Sequence, residues 1–331
     1  MKSSFRTLLL TLFSLVIFVG CKDGTPNNSA SSQGAAYELI VVCAQPQWEG
    51  AVGDTLREIL LHPVHMINQR EPLFDVLRVL PAGFNKLVTK HRNILIINVS
   101  ENQQEPQILV RTNVYATPQL VVTVSAPDNA TMAQFLDESR SELLSLFELA
   151  ERERDLNAMA KYGPKNLEDT ILNRFGLQLD LPVGFTLRSE KPDFMWLSYE
   201  MPQSSQGLFV YSYPYTGRED FTLEALVAAR NRFAALIPGP SDGSYMITVP
   251  DAEMKYKKIN GRSWAEMRGF WDVHGDFMGG PFVSYSTVDT QTKRIITIDC
   301  YVYSPKLPKR NYLRALEHIV YSASIPGDTA N

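Results

Sequence analysis

The sequence has three cysteines, five histidines and no apolar run long enough to span a bilayer. A membrane-crossing helix needs roughly 20 consecutive apolar residues, and the stretch LLLTLFSLVIFV, Leu8 to Val19, falls short of that. No cysteine or histidine spacing matches a zinc site. The chain also lacks the G-x-S-x-G elbow of serine hydrolases and the G-x-G-x-x-G and G-K-[ST] loops that cradle phosphates. A formal net charge of −4 leaves no basic footprint, which sets nucleic-acid binding aside. With 44% hydrophobic and 21% charged residues, the 331-residue chain has the composition of a folded globular protein.

What is present begins with an export signal. Lys2 and Arg6 supply a positive end, Leu8 to Val19 an apolar stretch, and Gly20 a small residue before a cut site. Phe18-Val19-Gly20-Cys21 resembles the lipobox of bacterial lipoproteins, with Phe where that motif usually has Leu. The resemblance implies cleavage after residue 20 and lipidation of Cys21, including palmitate. One acyl chain holds a protein only marginally, at about 0.8 kcal/mol per buried methylene, whereas several make a durable anchor. The expected location is the bacterial cell envelope, with the outer membrane the favoured face. Lys22-Asp23 alone does not choose among inner membrane, outer membrane and cell surface. Residues 21–36 are rich in Gly, Ser and Asn and poor in bulky apolar side chains, and read as a flexible tether.

From Tyr37 the pattern is that of a folded domain. YELIVVC is a near-continuous apolar run, typical of a strand covered on both faces. A helix follows Asp54 and stops at Pro63. LFDVLRVL and NILIINV read as strands, and QILVRTNVY with QLVVTVS as a hairpin. A long helical pattern starts near Asn129, and its charged stretch ERERD reads as a solvated face. Residues 37–162 thus form an N-terminal half, and 163–176 a helical connector closed by Gly176. Residues 177–326 form a C-terminal half, and 327–331 a disordered tail. In the C-terminal half, three strands precede a helix over Phe221 to Ile237, ended by Pro238-Gly239-Pro240. Further strands and a final helix from Arg310 to Ser322 complete it. The expected class is α+β, mainly antiparallel sheets with packed helices, the second half loosely resembling a PsbP-like α/β/α sandwich. Cys43 and Cys300 fall in apolar runs and read as buried free thiols.

Several strings carry a further likeness: RNILIIN, NVYATPQLVVTV, YSYPYTG, IPGPSDGSYM and DFMGGPFVSYS. They resemble an uncharacterised lipoprotein family of Bacteroidota, domain-of-unknown-function family 4837, over roughly Tyr37 to Pro326. That resemblance implies an envelope lipoprotein and brings no catalytic residue with it.

Two groups of residues could form a site. Asp272, His274 and Asp276 alternate along one stretch, where two carboxylates and an imidazole could hold a divalent metal or act as an acid–base pair. Phe209, Tyr211, Tyr213 and Tyr215 alternate along another and could stack on sugar rings or a protein partner if open to solvent. Pro214 favours an edge strand there; the bland reading is a ladder packed under a helix. No residue is assigned as catalytic, cofactor-binding or metal-binding, and no cofactor is expected. The sequence therefore favours a non-enzymatic envelope lipoprotein binding an envelope protein or glycan. A hydrolase centred on Asp272, His274 and Asp276 is the alternative.

Overall fold

Three runs in the first part of the chain, β1 (Glu38–Val42), β3 (Asn93–Val99) and β5 (Leu120–Ala126), are apolar on both faces. Such strands need cover on both sides, which suits a parallel sheet whose crossovers carry helices. The computed structural model, which describes residues 30–327, has that arrangement. The chain divides into two compact units: one holds residues up to Ile59 with Asp75–Leu144, the other Leu60–Phe74 with Ser145 onward.

In the N-terminal unit the short α1 (Gln45–Glu49) and α2 (Ala51–Leu60) follow β1. The edge strand β2 (Asp75–Val79) comes next. The sheet order is β2-β1-β3-β5-β4, with β4 covering Gln107–Thr112. β1 runs parallel to β2 and β3, and β3 to β5; β4 alone is antiparallel, forming the expected hairpin with β5. This sheet is therefore largely parallel, although the protein as a whole is mainly antiparallel. α3 (Asn129–Glu138) follows, its first turn capped by Asp128, which accepts from the Thr131 N–H at 2.8 Å.

The lipidation site Cys21, the signal segment 1–20 and residues 328–331 of the expected tail lie outside the described residues. Residues 30–36, read as part of a flexible tether, are instead held on the N-terminal unit. Ser31 and Gln33 bridge Thr117 and His91, and the Ser32 N–H donates to the Thr117 carbonyl at 3.1 Å. This docking uses backbone groups, so a composition poor in apolar side chains does not prevent it. Gly34, at φ +98°, lies where any side chain would run into the His91 ring.

The C-terminal unit is built on an eight-stranded antiparallel sheet. Its strands are β6 (Thr186–Lys191), β7 (Phe194–Met201), β8 (Ser204–Pro214), β9 (Tyr245–Thr248), β10 (Glu253–Ile259), β11 (Arg262–His274), β12 (Gly279–Asp289) and β13 (Arg294–Tyr303). The order is β10-β11-β12-β13-β8-β7-β6, with β9 paired to β11. α4 (Arg140–Tyr162) leads into α5 (Lys165–Phe175); α6 (Leu223–Ala234) and α7 (Arg310–Val320) come later. One sheet face packs Leu208, Val210, Ile298 and Cys300 against Ile171 and Phe175 of α5 and Leu313 and Leu316 of α7. The alternate residues Phe209, Tyr211 and Tyr301 meet Leu226 and Phe233 of α6. This α/β/α layering is the sandwich expected for the second half, and the α+β class holds. Residues 163–176, read as a connector, contribute Leu167, Ile171 and Phe175 to that core. Cys43 and Cys300 are free and buried, and burial pushes both thiols up in pKa.

The ERERD stretch of α4 does not face solvent alone. Glu151 is buried and accepts from Arg154 at 3.0 Å, and the Arg152 guanidinium lies 3.9 Å from the Tyr321 ring centre. Beside it, Glu148 takes Arg314 of α7 at 2.5 Å. His318 of α7 is buried, with Nδ1 2.7 Å from Asp155 and Nε2 3.4 Å from Glu148. Burial pulls the His318 imidazole down, but hydrogen bonds and charge from Asp155 and Glu148 outweigh it, leaving the pKa raised. A histidine raised on folding stabilises fully below its unfolded value of about 6.5, and that contribution fades as pH rises through the folded value. His318→Gln should lower stability at about pH 6 by roughly 1.5–3 kcal/mol, the worth of hydrogen bonds to charged groups. The deficit should shrink at higher pH, as urea unfolding of both proteins from about pH 6 to 9 will show; a pH-independent deficit contradicts the account.

Candidate functional site

Glycine inside an apolar strand often marks a close approach by something else, as at Gly207 of β8 and Gly280 of β12. At Gly207 any side chain would overlap the Tyr301 ring, which lies across the strand from β13. At Gly280 it would overlap the Val302 carbonyl and crowd the indole nitrogen of Trp271. Both glycines thus let large aromatic side chains lie flat on the sheet. Together with Trp196 of β7 and Tyr303 of β13, these aromatic residues form one wall of a cavity of about 540 Å³.

The aromatic groups are fixed by one another. Trp196 Nε1 donates to the Tyr301 hydroxyl at 2.9 Å, and Trp271 Nε1 to the Val302 carbonyl at 3.3 Å. The Trp271 and Tyr301 ring centres lie 5.3 Å apart at 70°, an edge-to-face contact. Burial pushes the Tyr301 phenol up, so it stays protonated. The indole N–H groups are therefore satisfied inside the wall, and the rings present mostly apolar surface to the cavity.

The opposite wall comes from the segment after α6. Ile237-Pro238-Gly239-Pro240 and Met246 line it, with Met278 and the β7–β8 turn around the mouth. This segment is closed on itself: the Gly239 N–H donates to the Ser244 carbonyl at 2.9 Å, and the Ser244 hydroxyl to the Ser241 carbonyl at 2.6 Å. Glu200 and Lys306 are the charged residues at the rim. Such a site can enclose an apolar or amphipathic group; among its lining residues the Ser205 hydroxyl donates to the Glu200 carboxylate at 2.9 Å.

The residues singled out from sequence fall elsewhere or do other work. Asp272 and His274 share the exposed side of β11, but Gly275, at φ +86°, turns the chain before Asp276. Asp272 accepts from the Val273 N–H, and the His274 ring packs 5.0 Å from Tyr245. Asp276 accepts from the Ser241 hydroxyl and the Phe277 N–H, which hold its carboxyl below its ordinary pKa. The three do not converge, and no cluster among the described residues could hold a metal ion. Asp276 instead ties the loop after α6 to the turn after β11.

The aromatic ladder is a correction of the same kind. β8 is paired on both sides, with β7 and β13, so it is not an edge strand; Pro214 is its last residue. Phe209 and Tyr211 are fully buried beneath α6, with the Phe233 ring 4.4 Å from Tyr211. Tyr213 is half-buried, and burial lifts its phenol to about 12. Of the four, Tyr215 reaches a second cavity. The wall residues Trp196, Trp271, Tyr301 and Tyr303 were not legible as a group in the sequence. The signals nearest to them were Gly207, Gly280 and the strings IPGP and DFMGGP, which supply the opposite wall and rim.

Fold and site together define an α+β protein whose C-terminal sandwich carries an aromatic-walled cavity. Residues 164–322 match the model of the domain of unknown function DUF4837. Residues 32–160 match a second, the domain of unknown function DUF8532. The likeness to the first family therefore covers 164–322, not the whole span from Tyr37, and the N-terminal region matches a family of its own. No curated protein matches the chain. Solved structures that resemble it include a point mutant of the protein Mog1 and the Saccharomyces cerevisiae Ran-binding protein Mog1p. Each is 10% identical, covers 45% of this chain and 90% of that one, and has a TM-score of 0.31. A likeness that weak carries no argument.

Gly207→Ala should destabilise the protein by about 1–3 kcal/mol, the usual cost of overpacking. In a Tyr301→Ala background the same change should cost much less. Urea unfolding followed by tryptophan fluorescence tests this; equal cost in both backgrounds would place the constraint elsewhere.

Proposed function

We propose that the protein is an envelope lipoprotein of the Bacteroidota type, anchored through acyl chains on Cys21, that binds an envelope protein or glycan without catalysing a reaction on it. The observation that carries the binding role is the cavity walled by Trp196, Trp271, Tyr301 and Tyr303. Its indole groups are satisfied internally, and its other wall is built of Ile237, prolines and methionines. Pockets of roughly 300–1,000 Å³ lined by aromatic and apolar groups are the usual form of a ligand site. Methionine walls adapt to irregular apolar partners. The hydrolase alternative loses its support because Asp272, His274 and Asp276 bond to separate partners. The anchor rests on the Phe18-Val19-Gly20-Cys21 motif, and the outer membrane is the favoured face.

Two measurements test the two parts. Mass spectrometry of the protein from membranes should find an acylated N-terminal peptide beginning at Cys21, lost in Cys21→Ala; an unmodified Cys21 refutes the anchor. For the pocket, Tyr303 is half-buried at the rim, so Tyr303→Ala should leave the fold intact. Recovery of the bound partner from solubilised envelopes should fall about thirtyfold, equivalent to a hot-spot loss of about 2 kcal/mol. Undiminished recovery would exclude the cavity as the binding site.

A further inference from the structure

The rim of the aromatic cavity carries charges of both signs. Glu200, near the end of β7, and Lys306, after β13, both line it, and both are exposed. No ion pair joins the two among the described residues. Glu200 accepts from the Ser205 hydroxyl at 2.9 Å and stands 3.9 Å from Arg188, both through Oε1. Its second oxygen, Oε2, is left for a ligand. Glu200 also lies four residues along β7 from Trp196, on the same face by alternation. Its charge reaches the wall: burial pushes the Tyr301 phenol up, and the Glu200 carboxylate adds to that push against the hydrogen bond from Trp196.

The rings beside these charges are set at steep angles. From Trp271, the Tyr301 ring centre lies 5.3 Å away at 70° and that of Tyr303 6.3 Å away at 58°. Trp196 and Tyr303 are half-buried, whereas Trp271 and Tyr301 are buried. The faces of such rings attract a cation, and several rings around one pocket are a common means of holding a methylated ammonium. The indole N–H groups, whose positive ends would oppose a cation, are spent on the Tyr301 hydroxyl and the Val302 carbonyl.

We propose that this cavity binds a zwitterion in which a methylated ammonium stands a few bonds from an anionic oxygen, as in phosphocholine or a betaine. The N-methyl groups are apolar enough for the methionine and proline walls, and the positive charge meets the ring faces and Glu200 Oε2. The anionic oxygen meets the Lys306 ammonium, which binds carboxylate or phosphate as a point charge. A cation alone leaves Lys306 as a repelling neighbour, an anion alone leaves the rings and Glu200 unused, and a neutral alkyl group leaves both charges unused. The inference rests on reading this cavity as the binding site and names the group that the bound molecule presents there.

Calorimetric titration of the full chain tests it, with phosphocholine and glycine betaine as probes. Choline, inorganic phosphate and the neutral choline isostere 3,3-dimethylbutan-1-ol serve as comparisons. At least one zwitterion should bind about ten times more tightly than phosphate or the isostere, and about three times more tightly than choline. Glu200→Gln should weaken that zwitterion and choline alike, by about fivefold, whereas Lys306→Gln should weaken the zwitterion without weakening choline. Competition by phosphatidylcholine vesicles assigns the group to a lipid headgroup, and its absence to a soluble or partner-borne zwitterion. The proposal is overturned if neither zwitterion binds, if the isostere binds as tightly, or if binding survives both substitutions unchanged. Undiminished partner recovery with Tyr303→Ala refutes the cavity as the partner's site; recovery lost without any zwitterion binding refutes this inference alone.

Discussion

A guanidinium and a carboxylate, both wholly shut off from water, brace the C-terminal unit. Arg230 of α6 meets Asp299 of β13 through Nε at 2.8 Å and Nη2 at 3.2 Å, and its Nη1 reaches the Thr248 hydroxyl of β9 at 2.9 Å. The guanidinium carbon lies 3.6 Å from the centre of the Phe282 ring. Burial pushes the Asp299 carboxyl up in pKa against the opposing pull of Arg230. A pair of this kind adds little net stability, but losing one partner strands the other at a cost of several kcal/mol. Its consequence here is geometric. It fixes α6 and β9, between which Ile237 to Met246 forms one wall of the aromatic cavity, against β13, which carries Tyr301 in the other.

Much of the fold was legible in the chain because it is written locally. The apolar runs of β1, β3 and β5, the hairpin of β4 and β5, the proline stop after α6 and the final amphipathic helix all depend on neighbouring residues. What was not legible depends on partners distant in sequence. The parallel pairing of β1 with β3 joins Ile40 to Ile94, and no local pattern states it. Residues 30–36 dock through backbone groups that composition does not reveal. The charged stretch in α4 looks solvated until His318 and Arg314 arrive from α7. Phe209 and Tyr211 alternate as an open ladder would, and only the position of Phe233 shows that α6 covers them.

The candidate site was less legible still, because its wall is assembled from β7, β11 and β13. The hydrogen bond from Trp196 to Tyr301 spans most of the C-terminal unit's sequence. Asp272, His274 and Asp276 drew notice by proximity, yet a single left-handed glycine sends Asp276 to a different partner. Their neighbourhood still matters, since Asp276 secures the loop that closes the cavity. The C-terminal unit thus offers two cavities of different chemistry. One has aromatic and methionine walls suited to an apolar group, and the other is lined by Tyr215, Phe221 and Tyr256 with Arg218 and Arg262.

Site-specific photocrosslinking in intact cells tests this account most directly. A benzophenone side chain placed at Met278, on the rim of the aromatic cavity, is compared with one at Val183, which is exposed and lines neither cavity. The account predicts a discrete adduct from position 278, absent from position 183 and lost when Tyr303→Ala is added. No adduct at 278, or the same adducts from both positions, would contradict it.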